Sequence, residues 1–305
     1  MSSASHFADS VSRFVFEHKA VRGAVVSLDS ACAEILRCHR YPAPLARALA
    51  ELLAASALLA STLRFNGSLT VQLQSDGPVR LLVVECSAAL TLRAMAQWTE
   101  AVHALPADAD LVALAGGARR GRLAITLDPR DGTPIYQGIV ALEASSIAAL
   151  IEHYLETSEQ IPSRMVLAAG EARVRGLLVQ RLPGATEVDD ALWTRAAQQT
   201  TGMVPSDLFA AGTAAAILTA QFPEDDLRLF KAHPARFGCS CSRERVENAL
   251  RLIGRDEVEG ILAEQGKVSV NCEFCNGEYG LSEHDVRALF ATAGKRSSAE
   301  STVRH

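Results

Sequence analysis

The chain has 305 residues, of which 49% are apolar and 21% charged, with a formal net charge of -5. That is the composition of a folded globular protein and excludes a disordered, fibrous or collagen-like chain. The negative balance gives no general electrostatic reason to hold a phosphate backbone, so nucleic acid is not an expected partner.

Met1 to Ser10 has no basic start followed by an apolar run, so no secretory leader is expected and the cytoplasm is the expected compartment. Val21 to Leu28 alternates imperfectly and predicts a strand, with Ser30 as a helix N-cap and a short helix through Cys38. The Ala/Leu-rich run from Pro44 to Leu63, with proline in its first turn, predicts a long buried helix. Its most apolar part, Leu52 to Leu63, falls short of the roughly 20 residues of a membrane span, so no membrane is expected. Ser68 to Gln74 and Val79 to Cys86 read as strands joined by the turn Asp76-Gly77-Pro78. Thr91 to Trp98, Arg122 to Leu127, Ile135 to Leu142, Arg164 to Ala168 and Val174 to Gln180 predict further strands, interrupted by a helix from Ser146 to Thr157. The fold class is therefore α+β, an antiparallel-sheet core with helices over residues 1–182.

Beyond Pro183 the character changes to Gly184, Thr186, Asp189 and Asp190, then to weakly amphipathic segments around Leu192 to Gln199 and Leu208 to Ala220. Gly212 and Thr213 weaken the second of these, so residues 183–236 are expected to form a helical linker, metastable alone and dependent on docking. A small unit over 237–291 holds helices from Arg243 to Ile253 and from Asp256 to Gln265. It is too short to bury much surface without a staple. The tail from 292 to 305 has no apolar period and is expected to fray.

There are seven cysteines, at 32, 38, 86, 239, 241, 272 and 275. Cys32, Cys38 and Cys86 sit among apolar residues and read as buried thiols. Cys239, Cys241, Cys272 and Cys275 form two close pairs separated by a helical segment. Two such pairs can bring four thiolates to one tetrahedral metal; zinc suits a closed, two-pair site over a helical hairpin better than an iron–sulfur cluster does. His233 and His284 flank the cluster, but four cysteines already fill the tetrahedron. Zinc ribbons usually place two residues between the cysteines of a pair, whereas the first pair here is separated by Ser240 alone. Oxidation of a close thiolate pair can form a disulfide within the pair and remove two ligands at once. An inert structural zinc stands beside that reading on spacing alone.

At these residues the chain resembles the heat shock protein 33 family of redox-regulated bacterial holdase chaperones. The resemblance rests on Phe237-Gly238-Cys239-Ser240-Cys241-Ser242-Arg243-Glu244-Arg245, on Ile261-Leu262-Ala263-Glu264 and on Cys272-Glu273-Phe274-Cys275. It extends over nearly the whole chain through Val21-Arg22-Gly23, Tyr41-Pro42, Val71-Gln72-Leu73-Gln74 with Asp76-Gly77-Pro78, Tyr136-Gln137-Gly138 and Ser158-Glu159-Gln160 with Pro162. The Ala-rich stretch Leu208 to Ala220 is longer and less aromatic than the family pattern.

The resemblance implies a reduced, inactive form with one zinc ion per chain on Cys239, Cys241, Cys272 and Cys275. It implies Cys239–Cys241 and Cys272–Cys275 disulfides on oxidation, with loss of zinc and unfolding of linker and zinc domain. It also implies ATP-independent capture of unfolding client proteins, and a homodimer when active. Two other classes compete: a zinc-ribbon adaptor for RNA or ribosomes, and a thiol oxidoreductase using Cys272 and Cys275. The first needs a basic, aromatic face, but residues 243–290 mix arginines with many Glu and Asp. The second needs one depressed thiol at a helix N-terminus. No phosphate loop, HExxH or GxSxG pattern is present, so no enzyme is expected.

Overall fold

A computed structural model of the chain describes residues 9–17, 19–63 and 65–291, so the tail at 292–305 lies outside the described residues. The chain divides into two compact units, 1–238 and from 239 onward.

In chain order the first unit contains β1 (Ser10–Phe16), β2 (Val21–Leu28), α1 (Ser30–Arg37), α2 (Ala43–Thr62), β3 (Ser68–Ser75), β4 (Val79–Ser87), β5 (Thr91–Trp98), α3 (Leu111–Leu114), β6 (Gly121–Asp128), β7 (Tyr136–Ala141), α4 (Ile147–Thr157), β8 (Ser163–Ala169) and β9 (Val174–Arg181). It continues with α5 (Glu187–Thr201), α6 (Asp207–Ala210), α7 (Ala214–Gln221), β10 (Leu227–Leu229), β11 (His233–Pro234) and β12 (Arg236–Phe237). One sheet runs β10-β1-β2-β9-β8, with β11 also on β1, and the other runs β12-β5-β4-β3-β6-β7. The pairings are antiparallel except that of β12 with β5.

The Ala/Leu composition of α2 has a direct cause: the helix packs against strands of both sheets, and leucines 45, 49, 52, 53 and 58 are all fully buried. Each contributes about 1.5–3 kcal/mol relative to exposure. Among the described residues α2 is the one helix long and apolar enough to cross a membrane, and 78% of that stretch is buried inside the fold.

The two sheets differ in how many faces they hide. β3 alternates buried and half-buried positions, as expected of a sheet with one wet face. β9 is buried at every position but its last, and β2 at all but Arg22. The imperfect alternation of Val21 to Leu28 follows from this, because both faces of the first sheet are covered. Its second face carries Phe14, Phe16, Val25, Val166, Leu177 and Val179, and these pack under Leu192, Ala196, Leu208, Ile217, Leu218 and Phe222 of the segment after β9. The Phe222 ring meets Phe16 edge-on, with centroids 5.3 Å apart and planes at 73°.

That covering segment is made of short pieces. α5 opens on a capping box, where Asp189 accepts from the backbone N–H of Thr186 (2.8 Å) and from its hydroxyl (2.6 Å). Its other oxygen accepts from Ala20 N–H (2.8 Å), fastening the start of α5 to the β1–β2 connection. The Thr186 hydroxyl first, then these backbone donors, hold the Asp189 carboxyl down to about 2. The single helix read over Leu208 to Ala220 is two helices: the chain is interrupted at 211–213, and the Thr213 side chain caps α7 by accepting from Ala216 N–H at 3.1 Å.

The second unit contains α8 (Arg243–Ile253), α9 (Arg255–Gln265), β13 (Val268–Asn271), β14 (Glu278–Leu281) and α10 (Glu283–Ala291). Among the described residues its fully buried apolar core is Leu250, Val258, Val268, Leu281, Val286 and Leu289. So few residues leave a unit of this size marginal.

Candidate metal centre

Two local structures present the four clustered cysteines. Cys239 and Cys241 lie just before α8, where the Ser242 hydroxyl caps the helix by accepting from Arg245 N–H (3.2 Å). The Arg245 guanidinium reaches back to donate to Ser240 Oγ (2.7 Å). Arg243 bonds Glu247 (3.0 Å) and Asp285 of α10 (3.0 Å), so the segment after the first pair is tied to the last helix.

Cys272 and Cys275 sit in the β13–β14 turn. Cys272 N–H donates to Gly277 O (3.0 Å) and Asn276 N–H to Cys272 O (2.8 Å), which folds the chain into a tight knuckle. Asn276 takes a left-handed φ of 56°, a conformation its short polar side chain tolerates better than most.

The four sulfurs lie within 4.8 Å of one another, and all four residues are half-buried. Cys239 Sγ is 3.7 Å from Cys272 Sγ, and Cys241 Sγ is 3.3 Å from Cys275 Sγ. Zinc–thiolate bonds of about 2.3 Å imply a tetrahedral sulfur–sulfur edge of about 3.8 Å. The cluster is therefore of the size that one metal ion needs. Tyr279 of β14 donates its hydroxyl to Cys241 Sγ (3.1 Å), a polar contact on the sulfurs that spacing does not reveal.

Without a cation Cys275 resists ionisation. Partial burial and then the neighbouring thiols push the Cys275 thiol up to about 12, against the opposing effect of the Gly277 N–H. The bond to Cys241, followed by desolvation, pushes Tyr279 up to about 12 as well. A bound divalent cation inverts that balance, because a coordinating thiol is deprotonated outright. The donor set thus fits a metal ion in number, spacing and charge.

The other cysteines stand apart. Cys32 and Cys86 are fully buried in the first unit, and burial pushes both thiols up to about 12. Cys38 corrects the reading of three buried thiols. It is half-exposed because it lies past Ile35, the last buried residue of α1, and its thiol donates to Glu34 O (3.3 Å). His233 and His284 are both exposed and are not in the sulfur cluster.

Comparison with known proteins agrees with this architecture. The family model described as Hsp33 protein matches residues 9–282. A 33 kDa chaperonin of Methylobacillus flagellatus is 43% identical over 286 residues, covering 93% of this chain and 95% of that protein. One from Shewanella woodyi is 40% identical over 93% of this chain and 96% of its own. The crystal structure of the 33 kDa chaperonin of Thermotoga maritima superposes with a TM-score of 0.82 at 23% identity, covering 94% of this chain and 99% of that one. At that identity the last match speaks to the fold.

Proposed function

The chain belongs to the Hsp33 family of chaperones, and from that premise we propose that it is an oxidation-activated, ATP-independent holdase whose inactive form carries one zinc ion on Cys239, Cys241, Cys272 and Cys275. The observation that carries the reading is the close four-sulfur cluster in a unit with so little apolar core. When bound, zinc supplies a closed tetrahedral staple. In zinc-finger peptides that is worth about 10–16 kcal/mol, more than a core of this size provides.

Oxidation acts on the thiolates. Each pair gives up two electrons and becomes a disulfide; with hydrogen peroxide as oxidant, each peroxide takes up two protons and leaves as two waters. The pairs are Cys239–Cys241 and Cys272–Cys275. In the folded cluster the short cross-pair approaches of 3.7 and 3.3 Å do not favour these partners over others. Once the donors loosen, however, closure over one or two intervening residues costs least. Disulfide sulfurs no longer serve as thiolate donors, so Cys239, Cys241, Cys272 and Cys275 would no longer hold the ion, and the unit over 237–291 would unfold without its staple.

Residues 183–236 then follow as a metastable linker detached from a core of 1–182. Support comes from the shortness of α6 and α7, marginal as isolated helices, and from the apolar sheet face beneath them. Undocking would bare Phe14, Phe16, Leu177 and Val179 to capture unfolding client proteins in the cytoplasm, with a homodimer as the active form. The protein acts by binding and not as an enzyme.

Zinc analysis, thiol counting and light scattering of a heat-denatured client test this together. The expected outcome is one zinc and no protection in reduced protein, and two disulfides, no zinc and protection after peroxide. Equal protection by the reduced, zinc-loaded protein would leave only a constitutive chaperone.

A further inference from the structure

The turn Asp76-Gly77-Pro78 takes no part in the metal centre, yet it is built against a second turn. A Cβ on Gly77 would lie 2.1 Å from the carbonyl carbon of Ala115, and one on Gly116 would lie 2.8 Å from the Cα of Gly77. The two backbones touch, and both positions require glycine. Asp76 N–H donates to Arg120 O (3.1 Å), Arg119 N–H to Leu142 O (2.9 Å), and Leu142 N–H to Gly121 O (2.9 Å). The loop Gly116 to Gly121 is thereby pinned, with Arg119 at a left-handed φ of 60°. A non-glycine residue persists there only when its surroundings over-determine it.

This interlocking gathers cations. Arg80 of β4, Arg119 and Arg120 of the loop, and Arg122 of β6 line one open cavity of about 540 Å³. Arg119 pairs with Glu143 (2.9 Å). The other three donate to neutral acceptors: Arg80 to Asp76 O (2.7 Å), Arg120 to Gly116 O (3.4 Å), and Arg122 to Gln74 Oε1 through Nε (2.9 Å) and Nη2 (2.6 Å). Such bonds orient the guanidinium groups without cancelling their charge. Among the described residues the lining holds a single carboxylate, that of Asp76. The three exposed guanidiniums repel one another, and a multiply charged anion would convert that repulsion into attraction.

We propose that this cavity binds an oligophosphate, a chain of two or more linked phosphate groups. Guanidinium forks match phosphate oxygens bidentately, and several of them facing one volume suit an anion with several charges. The lining contains no aromatic side chain, so a nucleobase would find no ring to stack on. The phosphate chain is what the site reads. This inference does not depend on the redox reading.

The test is titration calorimetry of the full-length, zinc-loaded protein with sodium tripolyphosphate at low ionic strength. Saturable one-to-one binding is expected, weakened about tenfold or more in the triple variant R80Q/R120Q/R122Q. The charge-matched control R251Q/R255Q/R287Q, which removes ion-paired arginines of the second unit, should bind like the parent. Equal weakening by both triples would show a diffuse field and overturn the site, as would no saturable binding. A nucleoside triphosphate bound about tenfold or more tighter than tripolyphosphate, or capture of single-stranded RNA without tripolyphosphate binding, would also overturn the assignment. Melting temperature and zinc content check folding. If the triple variant misfolds, Arg120→Gln alone decides, and full affinity in that variant refutes the proposal.

Discussion

Replacing Phe222 by alanine should loosen the covering segment without touching the metal centre. Phe222 is 1% exposed and packs on Phe14 at 6.3 Å and on Phe16 at 5.3 Å between ring centroids. Both ring partners belong to the sheet, so the loss of these two contacts weakens docking of the segment on the sheet. Buried Phe→Ala changes cost about 3–5 kcal/mol, part of it the loss of aromatic pairs worth about 0.5–1.5 kcal/mol each. At the lower bound of about 3 kcal/mol the undocked population rises about 150-fold. Hydrogen exchange should show residues 187–222 losing protection in reduced, zinc-loaded F222A while β3 and β4 keep theirs. Light scattering should show partial client protection before any oxidant is added. Two results would refute the reasoning: unchanged protection over 187–222, or simultaneous loss over β3 and β4, which would make the segment part of one cooperative unit with the core.

Three further outcomes are expected. Cys272→Ser should lower bound zinc to a small fraction of one equivalent and unfold the second unit, read by elemental analysis and circular dichroism; full zinc in the variant would contradict the ligand set. Peptide mapping after peroxide should find Cys239–Cys241 and Cys272–Cys275 disulfides, and dominant Cys239–Cys272 crosslinks would exclude that order of events. For Asp189 the folded carboxyl lies near 2, below the ordinary value of about 3.9, so its contribution is complete above about pH 4 and is lost as pH falls toward 2. Docking of α5, followed by hydrogen exchange, should therefore weaken over that window in the parent, with a smaller change in Asp189→Asn; identical profiles would remove Asp189 as an anchor.

Much of the fold was legible where local signals and tertiary demands agree. Thr91–Trp98 and Arg243–Ile253 have the bounds that their periodicity predicts, and Ser146 caps α4 through its side chain. The helix cap expected at Ser30 falls one residue earlier, at Asp29. β1 escaped because its first half, with Ser10, Ser12 and Arg13, is largely polar, and its place as a strand comes from pairing with β2. β10, β11 and β12 have two or three residues each, too few for any period, and exist only because β1 and β5 offer partners. At the metal centre the cysteine spacing carried the chemistry. Tyr279 did not, since its reach to Cys241 depends on how the β13–β14 hairpin folds back. The arginine cavity was hidden for the same kind of reason, because tertiary contacts, Gly77 on Ala115 and Gly116 and Asp76 N–H on Arg120 O, bring Arg80 and Arg120 to one volume.

What separates a proposed switch from an inert zinc staple is the segment upstream of the cysteines. An antiparallel sheet can leave one face to water, and the second sheet does so along β3. The first sheet instead carries phenylalanines and branched aliphatics on a face that α2 does not touch, and assigns its cover to α5, α6 and α7. A chain selected only for a stable core would gain from a polar outer face there, because each exposed Phe or Val is a liability whenever the cover lifts. The start of the cover is held by Asp189 on Ala20 N–H, and its end is paired to the sheet edges, with Phe230 N–H on Arg13 O (2.9 Å), Ala235 N–H on Asp9 O (2.8 Å) and Gly238 N–H on Leu92 O (3.0 Å), before the chain enters Cys239. In the proposed switch, loss of the metal would have to be followed by breakage of these bonds before the apolar face beneath is exposed.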